Sequence, residues 1–272
     1  MNSRLFVFLI LFFSIQGWAE EPKAPLRFEL IGGLNVTSFD YKEDVPYPLK
    51  SEEKGTFVIP SLRGRIFIPQ LNESFFNAEA EYSGQVQSNY DGTTLQGVPV
   101  THTNDHIFYR IETDFYFRVQ EFLYLYAGIG YRYWDRFLSG GTGFREIYTW
   151  TYFPLGFLIE VPVSDALDIG FDFSSRLMSN GKIEVIFSET VTDGDDTTLD
   201  LGNKPGFKLQ VPFRLQRKDS AYRFLISPWY EYSQIGESSF EFNSTPGVQT
   251  DIREPDSTTQ QYGLLLGVGL LL

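Results

Sequence analysis

The chain has 272 residues, 17% of them aromatic (16 Tyr and 26 Phe), no cysteine and a formal net charge of −13. That charge excludes a nucleic-acid-binding protein, which needs clustered Lys and Arg against phosphate, and a chain without cysteine folds without disulfides. The length suits one β domain, and the aromatic content is high for a soluble enzyme but suits a membrane wall with aromatic girdles.

Arg4 precedes an apolar run over 5–13 (LFVFLILFF), followed by Gly17-Trp18-Ala19 and Glu20-Glu21. A positive start, a short apolar stretch and a small residue before acidic ones predict a signal peptide over 1–19, with 20–272 as a single domain. The apolar run falls short of the ~20 residues of a spanning helix. With no longer run elsewhere, a membrane protein of this sequence crosses as a closed β-barrel.

Period-two alternation predicts ten strands, over 26–39, 56–68, 75–89, 106–118, 122–134, 144–161, 166–179, 206–216, 222–234 and 258–272. Long polar loops separate them at 41–55, 91–105, 135–143, 180–205 and 236–257, alternating with short turns at 69–74, 119–121, 162–165 and 217–220. An even count, strands longer than the ~9–11 residues of a tilted span, and short turns alternating with long loops all fit a closed antiparallel transmembrane barrel. Eight or twelve strands are the alternatives if a segment is split or merged. Pro60, Pro154, Pro212 and Pro228 lie inside strands and predict bulges or kinks, because a closed wall has no edge to absorb a missing N–H.

Sorting the strands by face separates membrane from soluble. One face carries Arg27, Glu29, Arg63, Arg65, Glu79, Glu81, Arg110, Glu112, Asp114, Arg118, Arg132, Glu160, Asp168, Asp172, Arg176, Lys208, Arg214, Arg223 and Glu231. The opposite face, through its middle, carries no charge. A Lys or Arg facing lipid at mid-depth costs ~2–4 kcal/mol, which is a physical cause for that segregation. The charged face holds ten basic and nine acidic residues, a balance that predicts an interlocked ionic plug in the lumen. A hairpin centred near Asn72 predicts Arg63 opposite Glu81 and Arg65 opposite Glu79. Gly33, Gly263, Gly267 and Gly269 point inward near the closing seam and leave space that long Arg or Trp side chains fill, a narrow channel being the alternative.

In the final strand, Tyr262, Leu264, Leu266, Val268, Leu270 and Leu272 form a wholly apolar face that ends on the last residue. This strand resembles the C-terminal strand of bacterial outer-membrane β-barrels, with Leu in place of the usual terminal Phe. The resemblance implies a bacterial outer-membrane location, contact with outer-membrane lipids and lipopolysaccharide, and recognition of those six residues by the barrel assembly machinery.

The omptin proteases, also ten-stranded, use an Asp pair with Asp-x-His, and outer-membrane phospholipase and lipid A deacylase use His-x-Ser. His102 and His106 match neither pattern and read as loop polarity. Glu160 and Asp168 are expected to face each other across a short turn, with a neighbouring Arg to neutralise them. Asp193-Gly194-Asp195-Asp196, with Asp200, departs from the EF-hand spacing and reads as a solvated acidic loop. Tyr131, Tyr133, Trp134, Tyr148 and Trp150 gather at outer strand ends, where an interfacial belt is expected of those that face outward and carbohydrate stacking is the sharper alternative.

The sequence thus predicts a ten-stranded outer-membrane barrel with no enzymatic role, no cofactor and no metal, and with a structural or surface-contact, adhesin-like role through five outer loops. A narrow pore, and a hydrolase with an unfamiliar site, are the competing readings. The lumenal network is expected to comprise Arg63, Arg65, Glu79, Glu81, Arg110, Glu112, Asp114, Arg132, Asp168, Asp172, Arg176, Arg214, Arg223 and Glu231.

Overall fold

The structure, a computed structural model, describes residues 25–94, 96–139, 143–217, 220–245 and 251–272. The signal-peptide expectation over 1–19 lies outside the described residues. Alternation of apolar and polar residues extends β1 (Arg27–Glu43), β2 (Ser51–Ile68), β3 (Ser74–Thr93), β4 (Pro99–Gln120), β5 (Leu123–Leu138), β6 (Phe144–Ser164) and β7 (Leu167–Ile186). Two short strands, β8 (Thr197–Asp200) and β9 (Gly202–Asn203), precede a broken wall strand made of β10 (Pro205–Gln210) and β11 (Phe213–Gln216). Then come β12 (Tyr222–Gly236), a small hairpin of β13 (Glu241–Phe242) and β14 (Asp251–Ile252), and β15 (Ser257–Leu271).

Every wall strand pairs antiparallel with its sequence neighbour, and β15 pairs with both β12 and β1, so the sheet closes. Counting β10 and β11 as one position gives ten wall strands. The seam is sealed at the end by Phe28 and Leu272, which exchange N–H to carbonyl bonds of 3.0 and 2.8 Å.

The faces sort as the alternation requires. Leu62 is 52% exposed while its neighbour Arg63 is 8% exposed. Facing outward, β2 is uncharged from Ile66 up to Thr56 and meets its first charge at Lys54. The same boundary falls at Asp40 on β1, Asp105 on β4 and Asp135 on β5. It marks the outer edge of the lipid band. Much of the sequence that reads as loop, within 41–55 and 91–105, lies in strands that rise above this edge, because polar outward residues there face water and lose the hydrophobic signal. The connecting segments shrink to 44–50 and 94–98.

Pro212 and Pro60 lie at breaks in the wall as expected, whereas Pro154 and Pro228 sit in ladders that keep their register. Pro212 separates β10 from β11, and the gap is bridged by Val211 N–H to the Pro228 carbonyl at 3.0 Å. Pro154 interrupts the β5–β6 ladder without changing its register. Pro60 lies where β2 and β3 shift register between Lys54 and Ser61.

One expected pairing is corrected. Arg63 lies opposite Glu79, not Glu81, and Arg65 opposite Asn77, not Glu79. A 3-10 turn at Pro69–Leu71, closed by Asn72 and Glu73 at φ 52° and 59°, centres the hairpin on Leu71 and moves each partner by two residues.

Candidate functional site

Opposite charges from many strands converge in the lumen at mid-depth. Arg63 grips Glu79 through Nε (3.0 Å) and Nη2 (2.6 Å). Arg110 reaches Glu79 at 3.0 Å, Glu81 at 2.9 Å and Glu231 at 3.0 Å. Glu231 also takes Arg132 at 2.8 Å and Arg176 at 2.9 Å, and Arg176 continues to Glu112 at 2.7 Å. Such bidentate and shared pairs are short and strong in a low-dielectric interior. Nearer the end of the barrel where Leu272 closes the seam, Glu29 binds Arg223 at 2.8 Å and Arg65 at 3.5 Å, and Arg214 pairs with Glu160. Three residues expected in this network make other contacts or none this close. Asp114 accepts from Asn77 at 3.3 Å, Asp172 accepts from the Tyr126 hydroxyl at 2.6 Å, and Asp168 sits opposite Arg214 in the ladder.

Glu160 and Asp168 do not face each other. Glu160 lies opposite Gly170 and Asp168 opposite Pro162, and the Arg214 partner neutralises Glu160. The inward glycines are also accounted for. Gly33 meets Gly267 across the seam, and Ile31, Leu225 and Leu265 occupy the space, with Trp229 over Gly263. The fill is mostly aliphatic and comes from the same wall. Spaces that persist among the lumenal charges measure about 10 and 20 Å³, room for roughly one water each.

At the outer edge of the lipid band the wall encloses a second, aromatic plug. Phe39, Phe57, Phe108, Trp134, Tyr148 and Ile183 are buried together, with Trp134 stacked on Tyr148 at 4.7 Å. Trp134, Tyr148 and Trp150 therefore face inward, while Tyr131 and Tyr133 face outward.

His106 belongs to this core and not to a loop, contrary to its reading from the sequence; it is 1% exposed. Its Nδ1 accepts the Trp134 indole N–H at 3.0 Å. Indole only donates, so Nε2 carries the ring hydrogen and gives it towards the Ser88 hydroxyl at 2.7 Å and Glu53 at 3.1 Å. Ser88 in turn donates to Glu53 at 3.0 Å. These three are the residue types of a hydrolytic triad, but the carboxylate and hydroxyl share one ring nitrogen and no lone pair is aimed at the serine. They form a structural network. His102, higher on β4, stacks on Tyr90 at 4.5 Å.

Glu53 anchors this network. Arg136 donates to it from Nε (2.8 Å) and Nη2 (2.6 Å) and turns Nη1 towards Glu146 (2.8 Å) and Glu43 (3.3 Å). Burial alone would push the Glu53 carboxyl up, but Arg136 and the His106 hydrogen bond override it and hold it at about 2. No sequence pattern marks these residues, because Glu43, Glu53 and Arg136 lie in stretches that read as polar loop and Ser88, His106 and Glu146 at the ends of predicted strands.

The acidic run on the outer loop after β7 is spent on hydrogen bonds. Asp196 accepts the Phe187 and Ser188 N–H groups, both at 2.9 Å, and the Asp195 carbonyl accepts Asn243 at 2.6 Å. Asn243 also reaches Thr197 at 2.7 Å, so the loops following β7 and β12 are clasped together. No group of three acidic or histidine side chains suited to a metal occurs among the described residues.

A scan against protein-family models and a search of curated protein sequences find no match. Solved structures do match. The chain is similar to the outer membrane protease OmpT from Escherichia coli, with TM-score 0.60 and 9% identity over 90% of this chain and 97% of that one. OprG from Pseudomonas aeruginosa (TM-score 0.39, 11% identity, 90% and 95% covered) and Ail of Yersinia pestis (TM-score 0.35, 9% identity, 92% and 100% covered) also match. The chain has the fold of the small outer-membrane β-barrels, ten strands closed into one antiparallel wall.

Proposed function

We propose that this protein is a non-conducting bacterial outer-membrane barrel that works by surface contact through its five outer loops, with no catalytic step of its own. The observation that carries this reading is the lumen, closed at mid-depth by Arg110, Arg132 and Arg176 on Glu231 and at the outer edge of the band by the aromatic plug. A barrel of about eight strands is just filled by its side chains, and ten strands leave little more room. Above the plug the wall rises clear of the lipid and holds the loops on a stiff rim. Side chains at the loop surface are available to a partner, with Tyr47 97%, Phe240 60% and Phe242 69% exposed. Exposed aromatics of this kind are common contact anchors.

Planar-bilayer recording of the purified barrel tests the reading. A silent membrane is expected. A steady open current would reject it in favour of a narrow pore. An epitope inserted at Tyr47 should be labelled on intact cells, which reports the outward orientation of the loops.

A further inference from the structure

Residues 251–256 cross the mouth of the barrel as a strap. Ser238 N–H donates to the Glu254 carbonyl at 3.0 Å, and Glu254 N–H to the Ser238 hydroxyl at 2.8 Å. Asp44 N–H donates to the Asp256 carbonyl at 2.7 Å, and Lys204 pairs with the Asp256 carboxylate at 2.7 Å. At the centre of the strap the Glu254 side chain turns down into the wall and is 5% exposed.

The hydrogen atoms available to it are few. Tyr41 and Tyr148 donate to its Oε1 at 3.2 and 3.0 Å. Each hydroxyl has one hydrogen, and each also lies 3.1 Å from another carboxyl, Tyr41 from Glu43 and Tyr148 from Glu146. Arg136 is already shared by Glu53, Glu146 and Glu43. Glu53 has Ser88 and His106 as further donors, but Glu43, Glu146 and Glu254 depend on the guanidinium nitrogen that Glu53 leaves and on two hydroxyl hydrogens. A proton on Glu254 removes one buried charge and supplies the missing donor, and burying an uncompensated charge is what the site otherwise faces.

We propose that residues 251–256 form a proton-dependent strap, seated over the mouth while Glu254 is neutral and lifted when it ionises, uncovering Tyr41, Trp134 and Tyr148. The groups facing Glu254 are Tyr41 and Glu43 on β1, Arg136 on β5, and Glu146 and Tyr148 on β6, with Glu53 on β2 behind Arg136. Burial pushes the Glu254 carboxyl well above the usual carboxylate range, Glu146 and Glu43 push the same way, and Arg136 pulls against them. A carboxyl raised in the seated state contributes its seating energy in full below its free pKa and loses it as pH rises to the seated value. The strap therefore opens towards alkaline pH.

Arg253 gives a built-in probe, because its side chain is exposed while the peptide bond after it enters the buried strap. Trypsin cleavage after Arg253 is measured on the folded barrel in detergent at about pH 6.5 and about pH 9, as the ratio of native protein to Glu254→Gln. Gln is neutral at both values and still donates. The expected ratio is about tenfold higher at the upper pH than at the lower. An unchanged ratio overturns the proposal. Should Glu254→Gln misfold, Glu146→Gln replaces it. Removing that neighbouring charge should slow the alkaline cleavage, and cleavage as fast as native overturns the proposal equally.

Discussion

Arg110 on β4 and Glu231 on β12 meet at 3.0 Å, although their strands stand on opposite sides of the ten-strand ring. No backbone pairing brings them together. They touch because each long side chain reaches the barrel axis, and Arg132 from β5 and Arg176 from β7 converge on the same carboxylate. Glu231→Ala leaves three buried guanidiniums short of a partner. Breaking a buried ion pair by deleting one member costs about 3–5 kcal/mol, so a loss at the upper end of that range is expected in urea unfolding of the barrel in lipid vesicles. A loss near the ~1 kcal/mol of a surface pair would mean that water enters the lumen freely.

The wall was legible in the sequence and the mouth was not. On β2 the alternation of Val58, Leu62 and Ile66 with Arg63 and Arg65 assigns both faces, because a strand's period is local and lipid forbids charge on one side. Partner register is not local. A 3-10 turn and two left-handed residues, Asn72 and Glu73, decide that Arg63 meets Glu79, and no pattern in the strands themselves records that. Glu53, Arg136 and Glu254 escape notice, and His106 reads as loop polarity, for a different reason. Above the lipid band both faces of a strand tolerate polar residues, so a buried carboxyl there looks like any loop residue until the wall closes around it.

The uncharged band makes a depth-dependent prediction. Leu62 faces outward at the middle of the uncharged run on β2, and Thr56 faces outward at its upper edge. Leu62→Arg is expected to cost about 2–4 kcal/mol and Thr56→Arg about 0–1 kcal/mol, measured by unfolding in vesicles. Equal costs would mean that the band is misplaced.

Two glycines separate backbone strain from space. Gly84 has φ +63° at the bulge where β3 and β4 shift register between Tyr82 and Gln85, and a Cβ there meets nothing within 4 Å. Gly64 also has open space around a Cβ, but its backbone is extended strand. Gly84→Ala should destabilise by about 1–2 kcal/mol through the left-handed backbone alone. Gly64→Ala should be neutral or stabilise by up to about 1 kcal/mol, since glycine inside a strand loses more freedom on folding than alanine. The two unfolding midpoints should move in opposite directions or differ clearly in size.

The outer face of β15 carries the last prediction. Tyr262, Leu264, Leu266 and Val268 point to lipid, with the exposed Leu272 ending the row. Leu272 closes the seam only through its backbone, paired with Phe28. A side-chain change there leaves those bonds intact and removes one apolar group at the membrane edge, so Leu272→Ser should fold into vesicles in vitro nearly as well as the native chain. If the terminal strand is the element read by the assembly machinery, the same change should lower the yield of folded barrel in living cells several-fold more than its unfolding energy accounts for. Quantifying folded barrel in outer-membrane fractions beside in-vitro folding yield separates the two effects. A parallel drop in both would make Leu272 a packing residue only and remove the assembly role from that face.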